Sequence, residues 1–171
     1  MMRVDLRPVT LDDISILRTW DAEPDRGEWA GTDGPWEWEA EIPIDEPWKT
    51  MWIAERGGLA IGFVQLLETS LDETNYWGED AEKGTWAIDL WIGDPVHRGG
   101  GIGTQIMSRA IKILEACGAS RVLVDPLIAN RRAHAFYEAC GFAPIGERSF
   151  SADRCLVFER RLMRPSLGPR H

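Results

Sequence analysis

The sequence predicts an α+β fold, a central mixed and mostly antiparallel sheet of six to seven strands flanked by about four helices. Three observations lead there. Apolar runs of strand length and longer amphipathic runs follow one another as β-α-(α)-β-β-β-α-β-α-β-β, an order that neither alternating βαβ units nor a pure meander produces. Turn signals punctuate them, the clearest being Arg56-Gly57-Gly58 between two apolar runs and Gly118 and Gly141 after two amphipathic ones. The length, 171 residues, suits one domain with a real core.

Each element has its own reason. Val4 to Pro8 alternates and reads as a strand. Thr10 is a candidate cap, with Asp12 and Asp13 in the first turn of a helix running to about Asp21. Ala22 to Pro47 is rich in Trp, Glu and Pro and suggests only a short helix around Trp36 to Glu41. Thr50 to Glu55 and Leu59 to Leu67 make a hairpin, and Thr69 to Thr85 is a long polar loop of the kind that carries function or disorder. Trp86 to Ile92 is a strongly apolar strand. Ile102, Ile106, Ala110, Ile113, Leu114 and Cys117 mark one helix face. Arg121 to Asp125 is a short strand and Asn130 to Ala139 a helix, with Ala143 to Glu147 and Cys155 to Arg160 as the last strands. One domain is expected over residues 1–163, and 164–171, with little to bury, as a loose tail.

The net charge of −9 is unevenly spread. Residues 1–91 hold 21 Asp/Glu against 7 Lys/Arg and all nine tryptophans, whereas residues 92–171 hold 7 against 12. An acidic, tryptophan-rich half suits a cationic partner and a basic half an anionic one. The overall acidity argues against nucleic acid. No stretch approaches 18 uninterrupted apolar residues, and the start is charged, so neither a membrane span nor a signal peptide is expected. Cys117, Cys140 and Cys155 lack metal-ligand spacing; reduced thiols in a cytoplasmic protein, without a metal, are the economical reading.

His97-Arg98-Gly99-Gly100-Gly101-Ile102-Gly103-Thr104 joins the apolar strand to the helix after it. Four glycines there point to a backbone that bends sharply or approaches a ligand closely, and a helix start offers free N–H groups to a phosphate. A P-loop would need Lys after Gly103, and a dinucleotide fingerprint would need Gly or Ala at 104. Downstream, Asn130, His134 and Tyr137 share one face of the second helix, while Ala133, Phe136 and Cys140 share another, expected to be core. The loop, Arg98-x-x-Gly101-x-Gly103, resembles the acyl-CoA pyrophosphate loop of the GNAT N-acetyltransferases. Residues 130–142, N-x-x-A-x-x-x-Y-E-x-x-G-F, resemble a second segment of that superfamily. The resemblance implies a GNAT-like fold and acetyl-CoA as co-substrate, held by Arg98, Gly99, Gly101, Ile102, Gly103, Thr104 and Asn130. It also implies that Tyr137 protonates the departing thiolate. Residues 92–163 would then form mainly the acetyl-CoA side and residues 1–91 mainly the acceptor side.

Asp89 interrupts the apolar strand, on the face of Ala87 and Trp91 and opposite Ile88, Leu90 and Ile92. A carboxylate there needs a partner or a task. An amine with a pKa two units above the pH is only about 1% free base, and a carboxylate facing a thioester could take its proton. Strand N–H groups at Leu90, Trp91 and Ile92 could meet the developing oxyanion. Ala87-Ile88-Asp89, with Tyr76-Trp77-Gly78-Glu79-Asp80 before it and Val124-Asp125-Pro126 after it, resembles the aminoglycoside 6′-N-acetyltransferases. That likeness implies Asp89 as base and acceptor contacts from Trp77, Glu79, Asp80 and Asp125, with Trp29 of Glu28-Trp29 as a further contact. The implied partner is a cationic small-molecule amine bound by a monomer or homodimer, and the implied role is antibiotic resistance. Two other readings stand beside it. One is acetylation of a siderophore precursor or other metabolite amine, for which a histidine near the acceptor strand would be expected; the chain has only His97, His134 and His171. The other is a non-catalytic acyl-CoA sensor, which would keep the glycine loop without needing Asp89 and Tyr137 together.

Overall fold

A computed structural model describes residues 2–43 and 46–163. Its seven strands form one sheet in the order β1-β2-β3-β4-β5-β7-β6, from β1 (Val4–Pro8), β2 (Lys49–Arg56), β3 (Leu59–Glu68), β4 (Thr85–Ile92), β5 (Arg121–Val124), β6 (Ala143–Phe150) and β7 (Asp153–Arg161). Every pairing is antiparallel except β4 with β5. The mixed, mostly antiparallel sheet expected from the sequence is therefore present. The tail 164–171 lies outside the described residues.

Alternation along the strands sends side chains to two different layers. Ala54, Val64, Ile88 and Val122 pack under α4 (Ile102–Ala116) and α5 (Arg131–Ala139), whereas Ile53, Phe63 and Trp91 pack under α1 (Ile14–Asp21) and α3 (Trp38–Glu41). A smaller cluster of Trp77, Ala87, Leu123 and Val157 lies beneath the 69–85 loop. Among its described residues the segment 22–47 contains not one short helix but two, α2 (Arg26–Ala30) and α3. Side chains hold it down. Asp21 accepts from the Trp38 indole at 2.7 Å and pairs with Arg26, which also donates to the carbonyls of Asp33 and Gly34.

Two helix faces differ from expectation. On α4 the buried set is Ile102, Ile106, Met107, Ala110, Ile111 and Leu114; Ile113 is only half-buried and Cys117, just past the last turn, is exposed. A helix over a broad sheet buries two adjacent rows, and the second row here runs through Met107 and Ile111. On α5 Tyr137 and Cys140 are buried, while Ala133 and Phe136 are only partly so. The Tyr137 ring packs between Phe142 and Phe158, with centroids 5.7 and 6.2 Å away. The last two strands run further than predicted, to Phe150 and from Asp153.

The decisive feature is where β4 and β5 part. Their ladder covers only Thr85↔Arg121 to Ala87↔Leu123, while β4 stays paired with β3 as far as Ile92 and β5 with β7. The chain leaves β4 through Gly93, which sits against the core: a Cβ there would lie 2.0 Å from the Trp20 ring, itself 3% exposed. Gly93→Ala is expected to cost about 2 kcal/mol by overpacking. It should lower the urea midpoint with an unchanged m-value.

Candidate active site

The gap between β4 and β5 holds two adjoining cavities. The first, about 350 Å³, is walled by Leu90, Trp91 and Ile92, the glycine loop, and the first turns of α5. Gly99, Gly100 and Gly101 all take positive φ (88°, 59° and 78°), so the loop turns through conformations that L side chains resist. The turn delivers the start of α4 to the cavity, where first-turn N–H groups have no partner within the helix. Of the residues expected to bind the acyl donor, Trp91, Ile92, Arg98, Gly99, Gly101, Gly103, Thr104 and Asn130 line this cavity. The Ile102 side chain does not; it points into the core at 4% exposure, which leaves its backbone alone near the loop. Gly103 serves packing as well, since a Cβ would come 3.1 Å from the Phe136 ring. Asn130 precedes α5 and accepts the Ala133 N–H through Oδ1, so its side-chain amide retains the NH₂ donor.

Asp25, Glu28 and Arg132 also line the first cavity. No motif marks Asp25. Arg98 meets the Asp25 carboxylate, which its guanidinium holds below the usual carboxylate range.

The second cavity, about 420 Å³, shares Trp29, Leu90, Trp91, Asn130, Ala133 and Tyr137 with the first. Four carboxylates line it: Asp33, Asp89, Asp125 and Asp153. Arg26 is the cation on its wall, already paired with Asp21. Trp29, Trp36, Tyr76 and Phe150 supply aromatic faces. Gln65, directly opposite Asp89 in the β3–β4 ladder, donates to Asp89 Oδ2 at 3.0 Å. Burial nevertheless raises Asp89 above the ordinary carboxylate range. Burial, with the Asp89 charge adding to it, pushes Asp125 up to about 7. The Tyr76 hydroxyl donates to Asp125 Oδ2 at 2.6 Å, and its ring stacks on Phe150 at 4.2 Å. Burial raises Tyr137 as well, so its phenol holds its proton at neutral pH.

The other acceptor-side expectations fare unevenly. Trp29 is on the shared wall, stacked on Trp91 at 5.1 Å. Trp77 is 7% exposed and belongs to the small core under its loop, reaching only a third cavity of about 300 Å³. Glu79 and Asp80 line none of the three cavities. Asp80 is instead held by Arg121 and Arg148. Tyr76, one residue from Trp77, stands where an acceptor contact was expected. Asp33 and Asp153 were not legible either; Asp153 joins the wall through its bonds to the Thr32 N–H and hydroxyl, both 3.0 Å from Oδ2. The first cavity is walled mostly by residues beyond 91, with Asp25, Glu28, Trp29, Leu90 and Trp91 from the first part of the chain, whereas the second draws on both parts alike. Among the described residues there is no cluster able to hold a metal and no helix long and apolar enough to cross a membrane.

Comparison with known proteins agrees with this geometry. Residues 10–150 match the family model of the acetyltransferase (GNAT) domain. The aminoglycoside acetyltransferase AAC(6')-Ib, solved in complex with paromomycin and acetyl-CoA, superimposes with a TM-score of 0.83 at 24% identity over 93% of each chain. An aminoglycoside N(6')-acetyltransferase from Legionella pneumophila gives 0.74 at 22% identity over 93% of this chain and 92% of its own. A domain from Methanocaldococcus jannaschii also gives 0.74, at 19% identity over 95% and 100%. These likenesses show the fold; among curated proteins no sequence match is found. With the family model covering both motif segments and the β4–β5 gap between them, the chain belongs to the GNAT acetyltransferases, whose acyl donor is acetyl-CoA.

Proposed function

We propose that the protein acetylates an amine of a polycationic small molecule, and that this acceptor is an aminoglycoside modified at its 6′-amine. The observation that carries the reading is the pair of cavities meeting at Tyr137, one with an anion-binding end and the other with four carboxylates. Solved structures of similar fold contain paromomycin, ribostamycin or kanamycin, which supports the acceptor class.

Acetyl-CoA supplies the thioester whose acyl group passes to the amine as the CoA thiol leaves. The glycine-loop amides and Arg98 hold the pyrophosphate, and the Asn130 side-chain amide donates to the extended arm. Asp89 binds the acceptor ammonium and takes its proton, and its raised pKa brings it closer to a useful base at neutral pH. Backbone N–H groups of β4 beyond the Ala87↔Leu123 pair, where β5 has separated from it, meet the charge on the thioester oxygen. Tyr137, neutral at working pH, returns a proton to the thiolate. Asp33, Asp125 and Asp153 attract the remaining ammonium groups, while Trp29, Trp36 and Tyr76 pack against sugar rings.

Turnover of acetyl-CoA with kanamycin, ribostamycin and an amine that carries no further positive charge tests the acceptor class; acetylation of the last alone would refute it. Asp89→Asn should reduce kcat by about 10²-fold or more. Parental kcat in that variant removes Asp89 from the chemistry. Tyr137→Phe should lower kcat by about 10- to 10³-fold with coenzyme A affinity nearly intact. Asp125 provides a pH test. Its charge is lost as the pH falls through about 7, so kanamycin should bind more weakly at pH 6 than at pH 8. Calorimetry on Asp125→Asn corrects for the amines' own titration. The variant should lack the portion of pH dependence that Asp125 contributes, and identical profiles would contradict the assignment.

A further inference from the structure

We infer that Asp25 is a positioning residue that serves both cavities: through Arg98 it holds α2 against the glycine loop, and it thereby competes with the donor's phosphates for the same guanidinium. This rests on the reading of the first cavity as the groove of acetyl-CoA. Arg98 stands immediately before the three left-handed glycines, and its guanidinium meets Asp25, 73 residues earlier, through both Nη atoms. Asp25 in turn stands immediately before α2.

α2 needs such a tie. It has five residues, no side-chain hydrogen bond at its start and no fully buried residue. A helix that short does not persist on propensity alone. Yet it sets much of the acceptor wall. Trp29 projects from it onto Trp91, and Arg26 binds the carbonyls of Asp33 and Gly34, which brings Asp33 to the second cavity. The tie also has a cost. Asp25 and Glu28 put two carboxylates into a groove whose cations are Arg98 and Arg132. A pyrophosphate arriving there meets their repulsion and a guanidinium already engaged. By linkage, what α2 gains in order from Arg98 the donor loses in affinity.

Titration with coenzyme A tests this without any acceptor. Asp25→Asn keeps the side-chain size and removes the charge. Coenzyme A should bind this variant about three- to tenfold more tightly than the parent. In an Arg98→Ala background the same substitution should gain less than about twofold, because the contested partner is gone. A purely structural role for Asp25 would not raise affinity, nor make the rise depend on Arg98. Loss of the tie should also loosen α2, so acrylamide quenching of tryptophan fluorescence should increase in Asp25→Asn. That increase should vanish in a Trp29→Phe background, and Asp25→Glu should restore the parental affinity and quenching. Should Asp25→Asn fail to fold by circular dichroism, Asp25→Ser carries the same expectations. Unchanged or weakened coenzyme A binding, or an equal gain without Arg98, overturns the inference. Absence of coenzyme A binding by the parent protein would instead overturn the reading of the groove.

Discussion

Past Ala87 and Leu123, β4 remains with β3 while β5 remains with β7, so the middle of a continuous sheet opens into a gap. Backbone polar groups that would close a ladder elsewhere face this gap, where leaving them buried and unmatched would be costly. A sheet can tolerate such an opening only if it is lined by other material or reserved for a ligand. Here both occur. The glycine loop and α5 close one side, and residues 25–36 with the β6–β7 turn close the other, leaving the two cavities between.

The charges follow from that geometry. Asp89 lines the second cavity, with Gln65 as its cross-strand partner and Asp125 in the same cavity. Burial is the main reason that both Asp89 and Asp125 are pushed upward, and repulsion adds to it, from Asp33 on Asp89 and from Asp89 and Asp33 on Asp125. The first cavity differs in its charges, with Arg98 and Arg132 on its wall beside Asp25 and Glu28.

The wall over the second cavity is built from polar ties, most of which close across long sequence separations. Asp21 with Arg26 and Trp38, Thr32 with Asp153, and Arg98 with Asp25 fix a segment that has little regular structure. Behind them Trp36, Trp38, Phe63 and Trp91 form one aromatic cluster with centroids 4.4 to 6.3 Å apart. The tryptophans that suggested a cation-binding half therefore divide their labour. Trp29 and Trp36 reach the cavity, whereas Trp38 and Trp77 are spent on packing.

Local chemistry determined much of this protein from the sequence alone. Apolar periodicity located the strands and the two long helices, and clustered glycines located the turn into α4, because each signal depends on residues close together in the chain. Asp89 was legible because a carboxylate inside an apolar strand has few uses. The tertiary structure decided what depends on distant neighbours. Trp77 and Tyr76 are adjacent in a polar loop, and only packing against Ala87, Leu123 and Val157 buries the first and leaves the second to meet Asp125. Asp80 looked available until Arg121 and Arg148 came from other strands to claim it. Asp33, Asp153 and Asp25 carry no local signal at all. Their roles come from charges and backbone groups that meet only when the sheet, its gap and the segment over it are assembled, since an ion pair's partner is set by proximity in space and not by spacing along the chain.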